Sequence, residues 1–433
     1  MWMQGCVTAA TGRPGKPSVQ GRVFCVRLRL IFLVAGNHNV AAQNRPVCLP
    51  VQARPALKAS ILQTAGGAVV EVFVRKIRWS FDVDIVGRCN LSCPSCPVGN
   101  MPATPLQSGY MKPEFLDRIV TKALSECHVT NFALYNWTEP FVHPHLPEMV
   151  RVVKSHGIGC DLSTNLNLAK QIEAVVAENP DQIKISVSGF TQENYGVTHR
   201  GGDIELVKDN MARLAEAKKT TQSKTRIIVV FHRYLHNQDD ERDMRAFAKS
   251  LNFDFTTYWA YLMPLEKNLA FLGHEDAPTD LNAADRSLID RLALPLDRAI
   301  EVSRVAPARD CRLRERQMAI NSEGKVMLCC SVFDQSRYTL APFLETSLEE
   351  LQALKYGHSM CATCMGEGLH VLMTYGEESL DQLALDHVRA KNPGLDLDAV
   401  YRSDPDDTAG LMKILKRARK STKSMLQRIG GAS

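Results

Sequence analysis

Three cysteines, Cys89, Cys93 and Cys96, fall within eight positions in the run Arg88-Cys-Asn-Leu-Ser-Cys-Pro-Ser-Cys-Pro97, just after an apolar stretch, Phe81 to Val86, of strand character. Three thiolates are one short of a closed tetrahedral zinc site, which takes four protein ligands. They suit an iron–sulfur cube in which three irons are held by the chain and the fourth is left open. An open iron at the end of a strand can bind a substrate and perform one-electron chemistry. A second group comprises Cys311, Cys329, Cys330 and the run Cys361-Ala-Thr-Cys364. Cys311, Cys329, Cys361 and Cys364 would ligate one further 4Fe–4S cube fully, or hold a four-cysteine zinc, since the spacing permits both. Cys330 is a spare that could replace Cys329 as ligand.

The elements that must position these thiols follow from periodicity. Between Arg75 and Trp259, apolar strand-like runs alternate with amphipathic helical stretches. The strand candidates are Phe81–Val86, Asn131–Tyr135, Gly159–Ser163, Ile183–Val187, Arg226–His232 and Asp254–Trp259. The helical candidates are Lys112–Ser125, Leu146–His156, Leu168–Glu178, Ile204–Ala217 and Asp239–Leu251. This alternation predicts parallel βαβ units, and six of them predict an open, partial (β/α)6 barrel of the TIM type. Ligands in such sheets sit at the carboxyl ends of the strands, where the first thiol group falls. Residues 263–310 read as a helical connector punctuated by Pro264, Pro278 and Pro295. Gln317–Ile320 and Lys325–Cys329 read as a hairpin around Asn-Ser-Glu-Gly, within a small α+β region at 311–375.

The 433 residues and 45% apolar content allow two domains and a large core. No run approaches the roughly 20 apolar residues of a membrane span. Thirteen cysteines in so long a chain, eight of them in two clusters, indicate metal binding in a reducing, cytoplasmic compartment rather than disulfides. The net charge of +5 is misleading, because residues 1–70 carry eight Lys or Arg and no acid, leaving 44 basic against 47 acidic residues beyond them. Nothing in that balance calls for nucleic acid. Residues 1–74 show no sustained period and read as an unstructured extension or a wrongly assigned start, with an organellar presequence as the rival. Residues 376–433 read as a helical end with a basic tail, Met412 to Arg428.

The Cys-x3-Cys-x2-Cys spacing resembles the radical S-adenosylmethionine (SAM) superfamily, and motifs at later strand ends extend the resemblance over about residues 78–260. Glu139-Pro140, preceded by Asn136, Trp137 and Thr138, is similar to the family's "GGEP" element, whose backbone and Glu hold the SAM amino group. Asn165, in Ser163-Thr-Asn-Leu-Asn167, matches the turn after the third strand. Ser186 matches the strand residue that meets the ribose. Arg200, in Arg-Gly-Gly-Asp203, matches the Arg that receives the SAM carboxylate. Ser95 departs from the pattern, since the position before the third cysteine is commonly aromatic and packs on adenine.

The resemblance implies that a reduced cluster cleaves SAM to a 5′-deoxyadenosyl radical, which abstracts hydrogen from substrate. Cys311 to Cys364 resemble an abbreviated auxiliary-cluster domain, the twitch or short SPASM form. That domain implies an oxidoreductase in which a second cube takes an electron during a net oxidation. The implied partners are a carbohydrate-like small molecule or a peptide as substrate, and a flavodoxin or ferredoxin as reductant. A general base would come from Asp310, His232 or Tyr258, with Tyr261 a further choice. The rivals are a peptide-modifying maturase of the same superfamily and a zinc-stabilised binding protein without SAM chemistry.

Overall fold

The computed structural model describes residues 77–101, 109–168, 170–275, 277, 280–305, 310–374, 379–397 and 400, together with the backbone of four strands nearer the start. Residues 1–76 and 77–433 are separate units. In the first, β1 (Val23–Leu30) pairs antiparallel with β2 (Gln43–Pro50), and β3 (Ser60–Gln63) with β4 (Val69–Val72). The basic tail, Met412 to Arg428, lies outside the described residues.

The second unit is built on one nine-stranded sheet. Its strands are β5 (Arg78–Val83), β6 (His128–Ala133), β7 (Gly159–Thr164), β8 (Gln182–Val187), β9 (Arg226–Arg233), β10 (Asp254–Trp259), β11 (Gln317–Ile320), β12 (Lys325–Met327) and β13 (Thr339–Pro342). The order is β10-β9-β8-β7-β6-β5-β11-β12-β13. β5 to β10 are mutually parallel, which makes the predicted six-stranded partial barrel. β11 then joins the free edge of β5 in parallel register, Asp82 beside Ala319, and β12 and β13 continue antiparallel. The thiol hairpin is therefore an extension of the barrel sheet.

Each barrel strand alternates in the way a covered parallel sheet requires. In β8, Ile183, Ile185 and Val187 are buried while Gln182, Lys184 and Ser186 are half-buried on the inner face. The helices supply the outer layer: Leu116, Ile119, Val120 and Ala123 form the buried stripe of Pro113–Glu126. Asp203 caps Ile204–Thr220 by accepting from the N–H groups of Glu205 and Leu206. Most predicted and observed ends agree closely, but β6 spans His128–Ala133 rather than Asn131–Tyr135, the helix expected at Leu168–Glu178 spans Ile172–Ala177, and β5 is shifted towards its start. β5 ends at Val83 rather than Val86: the Asp84 N–H still donates to the Ile320 carbonyl at 2.9 Å while its side chain holds another loop, and Val86 keeps only an isolated bridge to Tyr110.

Two apolar cores result. One fills the space between barrel and helices; the other joins the connector helices Leu265–Phe271, Ala283–Ile289 and Leu296–Val305 to the thiol region. Among the described residues no helix is long and apolar enough to cross a membrane. Phe81 ties β5 to β6 and to the segment after β13: its ring stacks on Phe132 with centroids 4.8 Å apart and meets Phe343 edge-on at 5.7 Å. Phe81→Ala would lose about 3–5 kcal/mol of stability, read as a lowered urea midpoint; a loss under about 1 kcal/mol would contradict this packing.

Candidate active site and thiol centres

The first thiol loop leaves β5, returns on itself and enters a short helix, Pro97–Asn100. The turn is so tight that a side chain at Gly99 would meet the Cys93 carbonyl oxygen at 2.2 Å, so glycine is required there. Asn100 fastens the loop by donating to the carbonyls of Pro94 (3.1 Å) and Met263 (2.7 Å). The Ser92 N–H donates to the Arg200 carbonyl at 3.1 Å. The Ser95 side chain is hydrogen-bonded to Tyr234, a buried tyrosine from the end of β9, so an aromatic group does stand beside the atypical position.

Burial pushes the Cys89 thiol up to about 11, with the Glu139 carboxylate adding to the rise. Burial and the neighbouring Cys89 push Cys93 up to about 12. Cys96 lies well above the usual thiol range through burial and the proximity of Cys93 and Cys89. Buried thiols that feel one another's charge hold their protons unless a cation sits among them. The donor set thus fits a cationic iron centre held by three thiolates. Among the described residues, no three His, Cys, Asp or Glu side chains close on a single ion.

Glu139 sits at the centre of the region. Its carboxylate accepts from Asn165 N–H at 2.8 Å and Phe141 N–H at 3.0 Å, and its own N–H donates to the Arg88 carbonyl at 3.2 Å. Burial raises its pKa to about 7 despite those hydrogen bonds. A cationic amino group beside it would remove much of that cost. Asn165 completes the connection, its amide nitrogen lying 3.7 Å from the Cys89 sulfur and 3.0 Å from Asn90 Oδ1. Ser186 Oγ lies 3.4 Å from Ser163 Oγ, two residues before Asn165. The Arg200 side chain is exposed, and no described residue pairs with it. The structure thus gathers Cys89, Cys93, Cys96, Glu139, Asn165 and Arg200 around one end of the barrel.

Asn136, Trp137 and Thr138 are placed there too, but their amides are already used. Asp84 accepts from all three N–H groups at 3.0–3.1 Å and from Thr138 Oγ1 at 2.6 Å. A carboxylate thereby does the work that glycines leave to backbone freedom. The side chains replacing those glycines reach across to the thiol hairpin. Trp137 Nε1 donates to the Val332 carbonyl at 2.9 Å, and the Asn136 amide faces the Cys330 carbonyl at 3.2 Å.

The second group is equally coherent. Cys311, Cys329, Cys361 and Cys364 line one cavity, with Arg314 and His370 at its wall. Burial raises Cys364 well above the thiol range, and Cys329, Cys311 and Cys361 add to it. Cys330 points elsewhere, its sulfur 3.2 Å from Gln317 Oε1. Lys355 is fully buried beside these thiols, a residue the sequence reading missed although it continues the buried stripe of its helix from Leu351.

Of the base candidates, Asp310 is fully engaged: Arg314 donates to Oδ1 at 2.7 Å, the Cys311 N–H at 2.8 Å, and the Tyr356 hydroxyl to Oδ2 at 3.1 Å. His232 stacks on His199 with centroids 6.5 Å apart, and burial lowers its pKa to about 4, so it is neutral at pH 7. Tyr258 is 40% exposed. The inner face of the barrel adds groups that sequence reading missed. Lys184 Nζ donates to Tyr135 OH at 3.0 Å, Asp161 accepts from Asn131 Nδ2 at 3.2 Å, and Asp82 accepts from Gln317 Nε2. Their signal was a single charged residue, Asp82, Asp161 or Lys184, among the inward positions of an otherwise apolar strand.

Burial raises the Asp82 pKa to about 7, with Lys184 opposing the shift. A carboxylate that binds its proton more tightly when folded costs stability above its unfolded value of 3.8, and the cost is complete above about 7. Asp82→Asn is therefore expected to raise the melting temperature at pH 8 more than at pH 5. An equal change at both pH values would show that Asp82 ionises freely in the fold.

Residues 83–244 match the family model described as the radical SAM superfamily. GTP 3′,8-cyclase of Limosilactobacillus fermentum is 28% identical over 191 residues, 43% of this chain and 55% of that protein. The enzyme of the same name from Lactiplantibacillus plantarum is 26% identical over 194 residues, with the same shares of 43% and 55%. The chain thus spans about half the length of these curated relatives. Among solved structures, Streptococcus suis SuiB bound to S-adenosylmethionine is similar with a TM-score of 0.46 and 13% identity, over 67% of this chain and 72% of that one. Native anSMEcpe with bound AdoMet gives 0.42 and 18%, over 63% and 79%. The stretch that matches the radical SAM superfamily model, residues 83–244, is the one that holds the thiol triplet, Glu139, Ser186 and Arg200.

Proposed function

We propose that this chain binds SAM at the Cys89–Cys93–Cys96 loop and carries out a net oxidation of a carbohydrate-like small molecule or a peptide. In this reading, Cys311, Cys329, Cys361 and Cys364 hold an auxiliary 4Fe–4S cluster in a twitch domain, about residues 311–375, that follows the barrel (75–262) and connector (263–310). The observation that carries the reading is Asn165, which joins the Glu139 carboxylate to the Cys89 sulfur and so makes thiol loop and SAM-amine site one structure. The convergence of four thiols on one cavity supports the second centre.

When bound, the open cluster and SAM supply reductive cleavage to a radical that abstracts hydrogen. The chain's own groups do the rest. Glu139 receives the SAM ammonium and Arg200 its carboxylate, with Ser186 placed for the ribose. Asp82, Asp161, Lys184 and Tyr135 line the inner face beneath, where they orient substrate and hold protons. A soluble, cytoplasmic setting with a flavodoxin or ferredoxin reductant suits such chemistry. The relatives' name, GTP 3′,8-cyclase, is that of a cyclase, and a zinc site at the second cavity is the competing assignment.

Anaerobic reconstitution tests both centres. About eight irons per chain are expected, about four after Cys89→Ser, Cys93→Ser and Cys96→Ser together. Incubation with SAM and dithionite should release 5′-deoxyadenosine, and the triple variant should release none. Zinc with about four irons would remove the auxiliary cluster, and absence of SAM cleavage by the loaded chain would sink the enzyme assignment. Arg200→Ala should weaken SAM binding about ten- to a hundred-fold, the worth of one charge-assisted contact, at unchanged iron content. Unaltered affinity by calorimetry would remove Arg200 from the site.

A further inference from the structure

Lys355 occupies an unusual place for a lysine. It lies on the helix Leu348–Gly357, where Leu351 and Lys355 are the buried positions, and its exposure is 0%. Its Nζ donates to the Leu313 carbonyl at 2.9 Å and the Gln317 carbonyl at 2.6 Å. These neutral acceptors satisfy two of its three N–H groups, and no described carboxylate lies within ion-pair distance. The groups that feel its charge are the thiols of Cys329, Cys330, Cys361 and Cys311, and, from across β11, Asp82. Three of those thiols line the second cavity; Cys330 and Asp82 sit on the far side of Gln317.

A buried ammonium without an anion is among the costliest arrangements a fold can hold. Burial lowers the Lys355 pKa, and the thiols of Cys329, Cys330, Cys361 and Cys311 are the groups that oppose that fall, so the thiol pocket is the anion source nearest its charge. Four thiolates around a 4Fe–4S core leave a net negative group, which gains a further negative charge on reduction. An adjacent fixed cation favours the more negative state, so it raises the reduction potential. We infer that Lys355 is the charge-balancing residue of the second thiol centre, and that its ammonium makes that centre easier to reduce. The inference rests on the reading of this pocket as an iron–sulfur site. It gives Lys355 a positioning and electrostatic role, with no contact to the substrate. If the centre accepts an electron from substrate, Lys355 is the residue that sets how readily it does so.

The alternative is a purely structural lysine that pins the short helix Arg312–Arg316 through the two carbonyls. Three substitutions in the full chain separate the roles. Lys355→Arg keeps charge and donors, Lys355→Gln keeps donors without charge, and Lys355→Met keeps neither. Each is made in the background lacking the first thiol triplet (Cys89→Ser, Cys93→Ser, Cys96→Ser), so that only the second centre gives a signal. Iron content and the midpoint potential by EPR-monitored titration are the readouts. The same substitutions in the chain with its triplet intact, loaded to about four irons or more, show that the barrel still folds.

Charge balancing predicts that Lys355→Gln and Lys355→Met both lower the ratio of reduced to oxidised centre about tenfold at the parental midpoint. That is about 59 mV for a one-electron couple. Lys355→Arg should stay at the parental value. Loss of iron from the Gln and Met variants with retention in the Arg variant also supports the charge role. A shift in Lys355→Met alone, an unchanged potential in Lys355→Gln, or loss of iron in all three overturns it in favour of the structural role. Absence of iron from the second centre with Lys355 intact overturns the iron–sulfur reading of the pocket and the inference with it, a result distinct from iron bound at an unmoved potential.

Discussion

The parallel pairing of β11 on the free edge of β5 is the constraint on which the rest depends. One strand feeds the first thiol loop from its carboxyl end and hydrogen-bonds the thiol hairpin along its side. The spacing between the two cysteine groups is therefore set by a backbone ladder rather than by a linker. Phe81 on the outer face of β5, packed between Phe132 and Phe343, makes the same junction apolar. On the inner face, Asp82 meets Gln317, whose carbonyl and amide in turn meet Lys355 and Cys330. Barrel lumen and thiol cavity are two sides of one wall.

Loop placement follows from the same strand. Asp84, the residue after β5, turns its carboxylate onto three consecutive amides of the loop after β6. That loop delivers Glu139, which is fixed from below by Arg88 and from the side by Asn165. The loops after β5, β6 and β7 thus converge through hydrogen bonds to two buried carboxylates, Asp84 and Glu139, which the low local dielectric strengthens. Both carboxylates have pKa values raised by burial, so the arrangement costs the apo fold stability and favours cationic ligands.

Much of this was legible in the sequence, for identifiable reasons. Strand and helix positions follow from periods of 2 and 3.6, which burial enforces residue by residue. The thiol triplet, Glu139 and Arg200 are readable because their spacing is local to strand ends. What escaped is what depends on register between distant segments. Nothing near Ser80 announces that Gln317 will lie beside it. Asp82 and Asp84 look like interruptions of an apolar run until the lumen and the 136–138 turn are in place. Lys355 looks like a surface residue on an amphipathic helix until the Leu313 and Gln317 carbonyls close over it. Cys329 and Cys330 could not be told apart in sequence, because both lie in the turn that follows β12, where no strand period applies; only Cys329 lines the cavity.

The residues that break folding rules are therefore informative as a set. Local preference and global fold agree over most of this chain, and disagreement near the thiol groups collects at charged residues without an oppositely charged partner in bonding distance: Glu139 and Lys355, both buried, and Asp82, half-buried. A fold keeps such groups only if something else in the working protein offsets their cost. The offsets differ in sign. Glu139 calls for a cation at the mouth of the barrel, Lys355 for an anion behind its wall, and Asp82, between them, for a proton or a donor. The required charge thus changes sign from the Glu139 carboxylate at the barrel mouth to the Lys355 ammonium beside the second thiol group, with Asp82 next to Gln317 between them.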